Sequence, residues 1–210
     1  MWKDYPDFIT KKDNGQFEYK IAFLKRSKRI EYFLNIKLDG ADTLNNIMEF
    51  YRDGGNPKYP NYMKQFRKLS GQNPYNLVML LFDNEITDGN SPVAKFSRKW
   101  MKNEQKEDLK KCNWTYLQDN VFISTTPLID EEDKTDIEML FDQMLQNIEI
   151  EGRTLDKTGT KDKTKYFNKD ILSRYIMKHY EEINFDNFKS IFNNMREAMV
   201  LYQKVKQLNA

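Results

Sequence analysis

A single cysteine, Cys112, and a single histidine, His179, occur among the 210 residues of this chain. One thiol builds neither a disulfide framework nor a cysteine-based zinc site, and one imidazole removes the usual histidine chemistries. Glycine and proline are also sparse, at eight and six residues, so the regular elements are expected to be long and mostly helical. No apolar run approaches the ~20 residues that a membrane-spanning helix needs, and no signal-peptide pattern opens the chain. These absences point to a soluble, cytoplasmic protein with no membrane partner. A surplus of one charge is missing too, because 34 Lys and Arg stand against 32 Asp and Glu for a net charge of +2. That excludes a wholly basic, polyanion-coating surface and leaves nucleic acid to local patches. Carboxylates are the one group abundant enough to build a reactive centre. With 39% hydrophobic and 31% charged residues, the chain suits one α/β domain that buries its own core.

Aromatics are plentiful, at 14%. Trp2, Tyr5, Pro6 and Phe8 open the chain and are expected to lie exposed, as in a domain whose covering segment is missing. Phe17 to Leu24 alternates apolar and polar residues and is expected to be a strand. Asp42-Thr43 precedes Leu44, Ile47, Met48, Phe50 and Tyr51 at helical spacing, with Gly54-Gly55 ending that run and a short helix expected after Pro60. Leu77 to Phe82 is apolar throughout, which fits a central strand of a parallel sheet covered on both faces. Ser91-Pro92 then supplies a cap and a first-turn proline, and Val93 to Lys111 is expected to continue as one long helix. Leu117 to Thr125 reads as a further strand, and Ile137 to Gln146 as a helix. Glu151 to Lys165 has no apolar period and reads as a mobile loop. Tyr166 to Tyr180 and Phe185 to Leu208 read as two C-terminal helices, the second starting at Asp186 or Asn187.

Three groups of residues carry chemical potential. Asp83-Asn84-Glu85 follows the apolar strand at its carboxyl end, where open α/β sheets place ligands. Carboxylates two apart in an extended turn share one hard cation, and Mg²⁺ takes one or two carboxylates while keeping waters for a phosphate. The same tripeptide also suits a solvated turn. Asp88 is a weaker third candidate. Asp136-Ile137-Glu138 forms a second acidic group. Two helical residues two apart do not share a face, so at most one of the pair is expected to point inward, and Glu138 borders the Ile137, Leu140 and Phe141 stripe. An acidic first turn favoured by the helix dipole would look the same. The third group is basic: Lys25, Arg26, Lys28 and Arg29, then Lys95, Arg98, Lys99, Lys102 and Lys106 at helical intervals. Such a face either neutralises phosphates or is an ordinary solvated helix surface. Lys169 and Arg174, with His179 nearby, offer a cation toward the acidic loop.

The order of these segments resembles the C-terminal TOPRIM-like region of retron-type reverse transcriptases. The resemblance rests on Phe23-Leu24-Lys25-Arg26-Ser27, on Leu38-Asp39-Gly40 with Leu44, on Asn73-Pro74 and on Leu81-Phe82-Asp83-Asn84-Glu85. It continues through Ser91-Pro92, the Val121 to Pro127 strand, Asp136-Ile137-Glu138-Met139-Leu140-Phe141, Tyr166-Phe167-Asn168-Lys169 and Ile183-Asn184-Phe185-Asp186-Asn187-Phe188. It covers nearly the whole chain.

The resemblance implies an α/β, TOPRIM-like, mostly parallel sheet flanked by helices, with a helical C-terminal part. Residues 1–150 would be the core without its first strand and helix, 151–165 a mobile loop, and 166–210 helices packed on the core. It implies Mg²⁺-dependent chemistry on nucleic-acid phosphodiesters, with Asp83 and Glu85 as metal ligands at the family's Asp-x-Asp positions. Glu138 matches the later acidic position and Lys169 a family lysine, completing a catalytic set of Asp83, Glu85, Glu138 and Lys169. Glu85 departs from the usual second aspartate, and the family's first glutamate motif has no counterpart in this sequence. The expected role is a nuclease-like effector in bacterial antiphage defence, with the reverse-transcriptase portion of the same or an associated chain as partner. No Tyr-x-Asp-Asp motif of a polymerase palm occurs. Nucleic acid, DNA or RNA, would be met by Lys25, Arg26, Lys28, Arg29, Lys95, Arg98, Lys99 and Lys102. The alternative is a catalytically degenerate TOPRIM-fold module that only binds nucleic acid or a partner protein.

Overall fold

The computed structural model describes residues 2–23, 28, 31–32, 42–51, 62–129, 132–156 and 162–208. A 3₁₀ turn over Trp2–Asp4 leads into an antiparallel hairpin of β1 (Ile9–Lys11) and β2 (Phe17–Tyr19). The expected strand over 17–24 is thus shorter, residues 20–23 being irregular and Leu24 outside the described residues. Helices α1 (Asp42–Tyr51) and α2 (Tyr62–Ser70) follow, close to where hydrophobic spacing puts them; Gly54-Gly55 lies outside the described residues.

The main sheet has three strands, β3 (Val78–Phe82), β4 (Trp114–Gln118) and β5 (Val121–Thr125), in the order β3-β5-β4. β3 runs parallel to β5, with Phe82 opposite Thr125, and β4 runs antiparallel to it. Two expectations change here. The sheet is mixed, not mostly parallel, and its centre is β5, every residue of which is buried, while β3 flanks it with Leu81 37% exposed. The strand expected over 117–125 is instead a hairpin: Asp119 takes a left-handed φ of 54°, which short polar side chains tolerate, and reverses the chain before Val121.

Side-chain alternation along β5 assigns the layers. Val121 and Ile123 face a core with Ile47 and Met48 of α1, Leu80 and Phe82 of β3, and Val93 and Phe96 of α3 (Pro92–Trp100). Phe122, on the other face, packs with Ala198 and Tyr202 of the long C-terminal helix α7 (Lys189–Leu208). Helices therefore cover both faces. The long helix expected over 93–111 breaks at Met101, which is extended (φ −107°, ψ 141°), and resumes as α4 (Asn103–Cys112). Leu109 would sit about 160° around a continuous helix from Val93 at 3.6 residues per turn. The break lets Val93, Met101 and Leu109 enter one core. Gln105 secures it by accepting from the Lys102 N–H and donating to the Tyr116 and Leu117 carbonyls.

Beyond the sheet, residues 137–146 form two pieces, a 3₁₀ turn over Ile137–Leu140 and α5 (Gln143–Gln146). The segment read as one loop over 151–165 contains β6 (Thr154–Leu155), parallel to β7 (Tyr166–Phe167), so the helix expected from Tyr166 starts later as α6 (Lys169–His179). A second apolar cluster joins Leu145, Leu155, Phe167 and Leu172. The 3₁₀ turn Asp186–Phe188 precedes α7, close to the expected start.

Of the aromatic opening, Tyr5 and Phe8 are not exposed, while Pro6 is. Tyr5 is 4% and Phe8 3% accessible, both against Phe192 of α7, with the Tyr5 hydroxyl bonding the Lys189 carbonyl and Asn193 and the Arg196 guanidinium over its ring. The cover expected from a missing segment is supplied by the chain's own last helix. Among the described residues no helix is long and apolar enough to cross a membrane.

Phe122 is fully buried between Trp114, Tyr116 and Tyr202. Phe122→Ala is expected to cost about 3–5 kcal/mol in urea unfolding. Tyr202→Phe, which loses only the hydrogen bond to the Pro74 carbonyl, should cost about 1 kcal/mol.

Candidate active site at the carboxyl end of β3

Because β3 and β5 run parallel, their carboxyl ends share one edge of the sheet, where β3 delivers Asp83-Asn84-Glu85 and β5 delivers Thr126. Asn84 organises this edge. It is 4% exposed, and its amide nitrogen donates to the Thr126 carbonyl (3.0 Å) and to Asn113 Oδ1 (3.2 Å). Its backbone N–H reaches Thr126 Oγ1 (2.9 Å) and the Thr135 carbonyl (3.0 Å), and the Thr135 N–H returns to the Asn84 carbonyl (2.9 Å). Thr126 donates its own hydroxyl proton to the Thr135 carbonyl. A buried amide bonded on both sides stabilises one arrangement of its neighbours, since any alternative leaves it unsatisfied. Asn84 thereby pins the 135–138 segment against the end of β3.

That pinning assembles the charges. Asp136 is extended (φ −78°, ψ 162°) and opens the 3₁₀ turn, and the Ile137 N–H donates to Asp83 Oδ1 at 3.1 Å. The charged groups acting most strongly on Asp83 are Asp136, Glu138 and Lys169. Lys169 Nζ lies 2.8 Å from Glu138 Oε1, whose side chain is largely covered. The expectation that only one of Asp136 and Glu138 points inward assumed an α-helix; with Asp136 outside the helical turn, both act on Asp83.

Partial desolvation is the main reason the Asp83 carboxyl titrates above the ordinary aspartate range. The Ile137 N–H opposes this, Asp136 and Glu138 add to it by repulsion, and Lys169 opposes it again. For Lys169, desolvation pulls the ammonium down, but the hydrogen bond to Glu138 and the charges of Glu138, Asp83 and Asp136 outweigh it, so its pKa rises. Lys169 sits at the first turn of α6, where the helix dipole disfavours a cation. The three carboxylates provide the compensating field.

The turn that carries Glu85 differs from the extended one expected. The tripeptide is not extended: the Glu85 N–H donates back to the Asp83 carbonyl at 3.1 Å, a three-residue turn around Asn84. The Glu85 carbonyl accepts from the Ser91 hydroxyl (2.7 Å), and Ser91 in turn caps α3 at the Ala94 N–H. Asp88 caps its own loop by accepting from the Asn90 N–H.

The cations expected on nucleic acid divide as well. Lys25, Arg26 and Arg29 lie outside the described residues, and Lys28 is exposed. Lys95, Arg98 and Lys99 share the exposed side of α3, and Lys102 lies past its break, so no continuous stripe runs from 95 to 106. Arg98 donates to the Gly89 carbonyl (2.6 Å), and Lys99 pairs with Glu49 (2.7 Å) over the Trp100 ring.

Sequence reasoning gave Asn84 no role and left Asp136 out of the catalytic set, although both stand in the two acidic tripeptides it singled out; the signal for Asn84 was an amide between two carboxylates immediately after an apolar strand. Among the described residues no three His, Cys, Asp or Glu side chains converge closely enough to hold a metal ion. The donors around Lys169 are nonetheless hard oxygens, and Mg²⁺ needs only one or two carboxylates beside its waters. In donor chemistry Asp83 and Glu138 fit it. No protein-family model matches this chain, and no solved structure matches it.

The sign of the Asp83 shift makes a stability prediction. A carboxyl whose folded-state pKa is raised contributes stability that is complete below its unfolded-state pKa and lost as pH rises through the folded-state value. Ionised Asp83 therefore costs stability at neutral pH. Asp83→Asn, which keeps an acceptor for Ile137, is expected to raise the melting temperature at pH 7, with the gain vanishing below the ordinary carboxylate range, as followed by circular dichroism across pH.

Proposed function

We propose that this chain is the TOPRIM-like part of a retron-type reverse transcriptase system and acts on nucleic-acid phosphodiesters with Mg²⁺. Its cellular role would be that of a nuclease-like effector in bacterial antiphage defence, in the cytoplasm, partnered by the reverse-transcriptase portion of the same or an associated chain. One observation carries the reading: Asp83, Asp136 and Glu138 are held with Lys169 at the carboxyl end of a parallel strand pair.

Asp83 and Glu138 would hold the ion, with Glu85 the further candidate from the same turn. Mg²⁺, when bound, supplies charge neutralisation at phosphate oxygens and activation of water. The chain's own contribution is positional. Asn84 fixes the turn, the Ile137 N–H orients the Asp83 carboxylate, and Lys169 offsets the summed negative charge of carboxylates and phosphate.

The Lys169 ammonium already bonded to Glu138 favours a second reading, a catalytically degenerate module that binds nucleic acid or a partner protein without cleaving. A cation built from protein satisfies an acidic site with no metal.

Magnesium-dependent cleavage of labelled DNA and RNA, with this chain joined to the reverse transcriptase it would accompany, separates the two. Asp83→Ala and Glu138→Gln are expected to abolish cleavage while leaving nucleic-acid binding in place, and Glu85→Gln to reduce it. Lys169→Met should lower turnover by about 10²-fold with calorimetric Mg²⁺ affinity largely kept. Binding without cleavage in the unsubstituted protein would establish the second reading.

A further inference from the structure

Two of the acid-free stretches of the chain bear on one surface. No acid lies between Asp53 and Asp83, where Lys58, Lys64, Arg67 and Lys68 occur, and none follows Glu197, where Lys204 and Lys206 occur. The fold joins the two at the amino end of β3. The Tyr202 hydroxyl of α7 donates to the Pro74 carbonyl (2.6 Å), and one turn further along α7 the Lys206 ammonium lies 4.5 Å from the centre of the Tyr75 ring. The α2 side is tied to the same turn, since Arg67 Nε donates to Asn73 Oδ1 (2.9 Å). Arg67 also pairs with Asp119 at 2.6 Å. Lys64 and Lys68, i and i+4, stand on one exposed side of α2.

Tyr75 is the unusual member, because 77% of a large aromatic residue is open to solvent. Its ring is not filling a core. It follows the buried Pro74 and carries the Lys206 ammonium over its ring, and most of its surface is open for a ligand to cover.

We propose that this surface binds single-stranded nucleic acid, a base stacking on Tyr75 while Arg67, Lys68 and Lys206 meet the flanking phosphates. An exposed ring beside ammonium and guanidinium groups is the pairing that unpaired strands use: every base has a face to stack, and the cations track the backbone. A duplex keeps its bases stacked on one another and gains nothing from Tyr75. An acidic peptide would use the cations but not the flat ring. The surface goes beyond the acidic site and its argument does not use that site; β3 separates the two by about 17 Å, its five residues each rising about 3.3 Å.

Fluorescence anisotropy on the full chain with a labelled oligothymidylate, a labelled duplex of matched length and a labelled polyglutamate peptide tests this. Oligothymidylate is expected to bind most tightly. Tyr75→Ala should weaken it roughly 5- to 100-fold, the range that one stacked base implies, and Tyr75→Phe should keep it. Lys206→Gln should weaken binding and flatten its salt dependence by about one counterion. Circular dichroism on each variant confirms folding. Equal affinity for duplex, preference for polyglutamate, or indifference to Tyr75→Ala would overturn the proposal. These outcomes are independent of cleavage, so a chain that binds oligothymidylate through Tyr75 and never cuts would retire only the enzymatic reading.

Discussion

The parallel pairing of β3 with β5 is the constraint on which the rest of the structure depends. Its register, Val78 to Val121 through Phe82 to Thr125, decides which β3 side chains face the α1 and α3 core and which face α7. A slip of one residue would exchange the two sets. Leu80 and Phe82 would leave the core they share with Phe96, and Met79 would leave Tyr202. The same register brings the ends of both strands level, which is what lets the Asn84 amide reach the Thr126 carbonyl and close the edge. Antiparallel pairing would send those two ends to opposite sides of the sheet.

At that edge a neutral group, not a charged one, sets the geometry. Asn84 is buried and bonded through its side chain to two partners, whereas Asp83 remains in contact with solvent. Burying a carboxylate at the Asn84 position would impose a large desolvation cost, since the hydrogen-bond partners there, Thr126, Asn113 and Thr135, are neutral. Placing the amide inside and the acids around it separates two tasks: the amide ties the turn to Thr126 and Asn113 while the Asn84 backbone pairs with Thr135, and the carboxylates are free to respond to charge. Lys169 reaches this group from α6, a helix positioned by the separate apolar cluster of Leu155, Phe167 and Leu172. The ion pair with Glu138 therefore links the two cores.

Much of this was legible in the sequence where a pattern had one physical solution. The apolar run of 78–82, the Ser91-Pro92 start of α3, and the last helix from about 186 follow from burial, capping and period alone. The centrality of β3 was not legible, because an apolar run reports burial on two faces but not which neighbour supplies it. The break at Met101 was hidden for a related reason: Lys and Glu suit either a continuous helix or two, and only the need to turn Leu109 inward distinguishes them. The burial of Tyr5 and Phe8 was invisible because the residue that covers them, Phe192, is far away in the chain. At the candidate site, the acids and Lys169 were readable as residue types. The resemblance already grouped Asp83, Glu138 and Lys169; what it left out was Asp136, which joins Asp83 because its backbone is extended and Asn84 pairs with the neighbouring Thr135.

The near-zero net charge also conceals a polarity that the fold creates. Asp83, Asp136 and Glu138 gather with the Lys169 ammonium at the carboxyl end of β3, while Arg67 and Lys206 stand at its amino end with Asp119 paired to Arg67. The separation of about 17 Å is roughly two Debye lengths at physiological salt. At that ionic strength each end acts on its own surroundings, and an anionic strand held at the amino end feels little repulsion from the other. In dilute salt the Debye length grows to about 30 Å at 0.01 M, and the two ends act as one dipole along the strand. A protein with the same composition but its charges interspersed would have no such direction, so the functional information lies in the topology that sorts the charges and not in their sum.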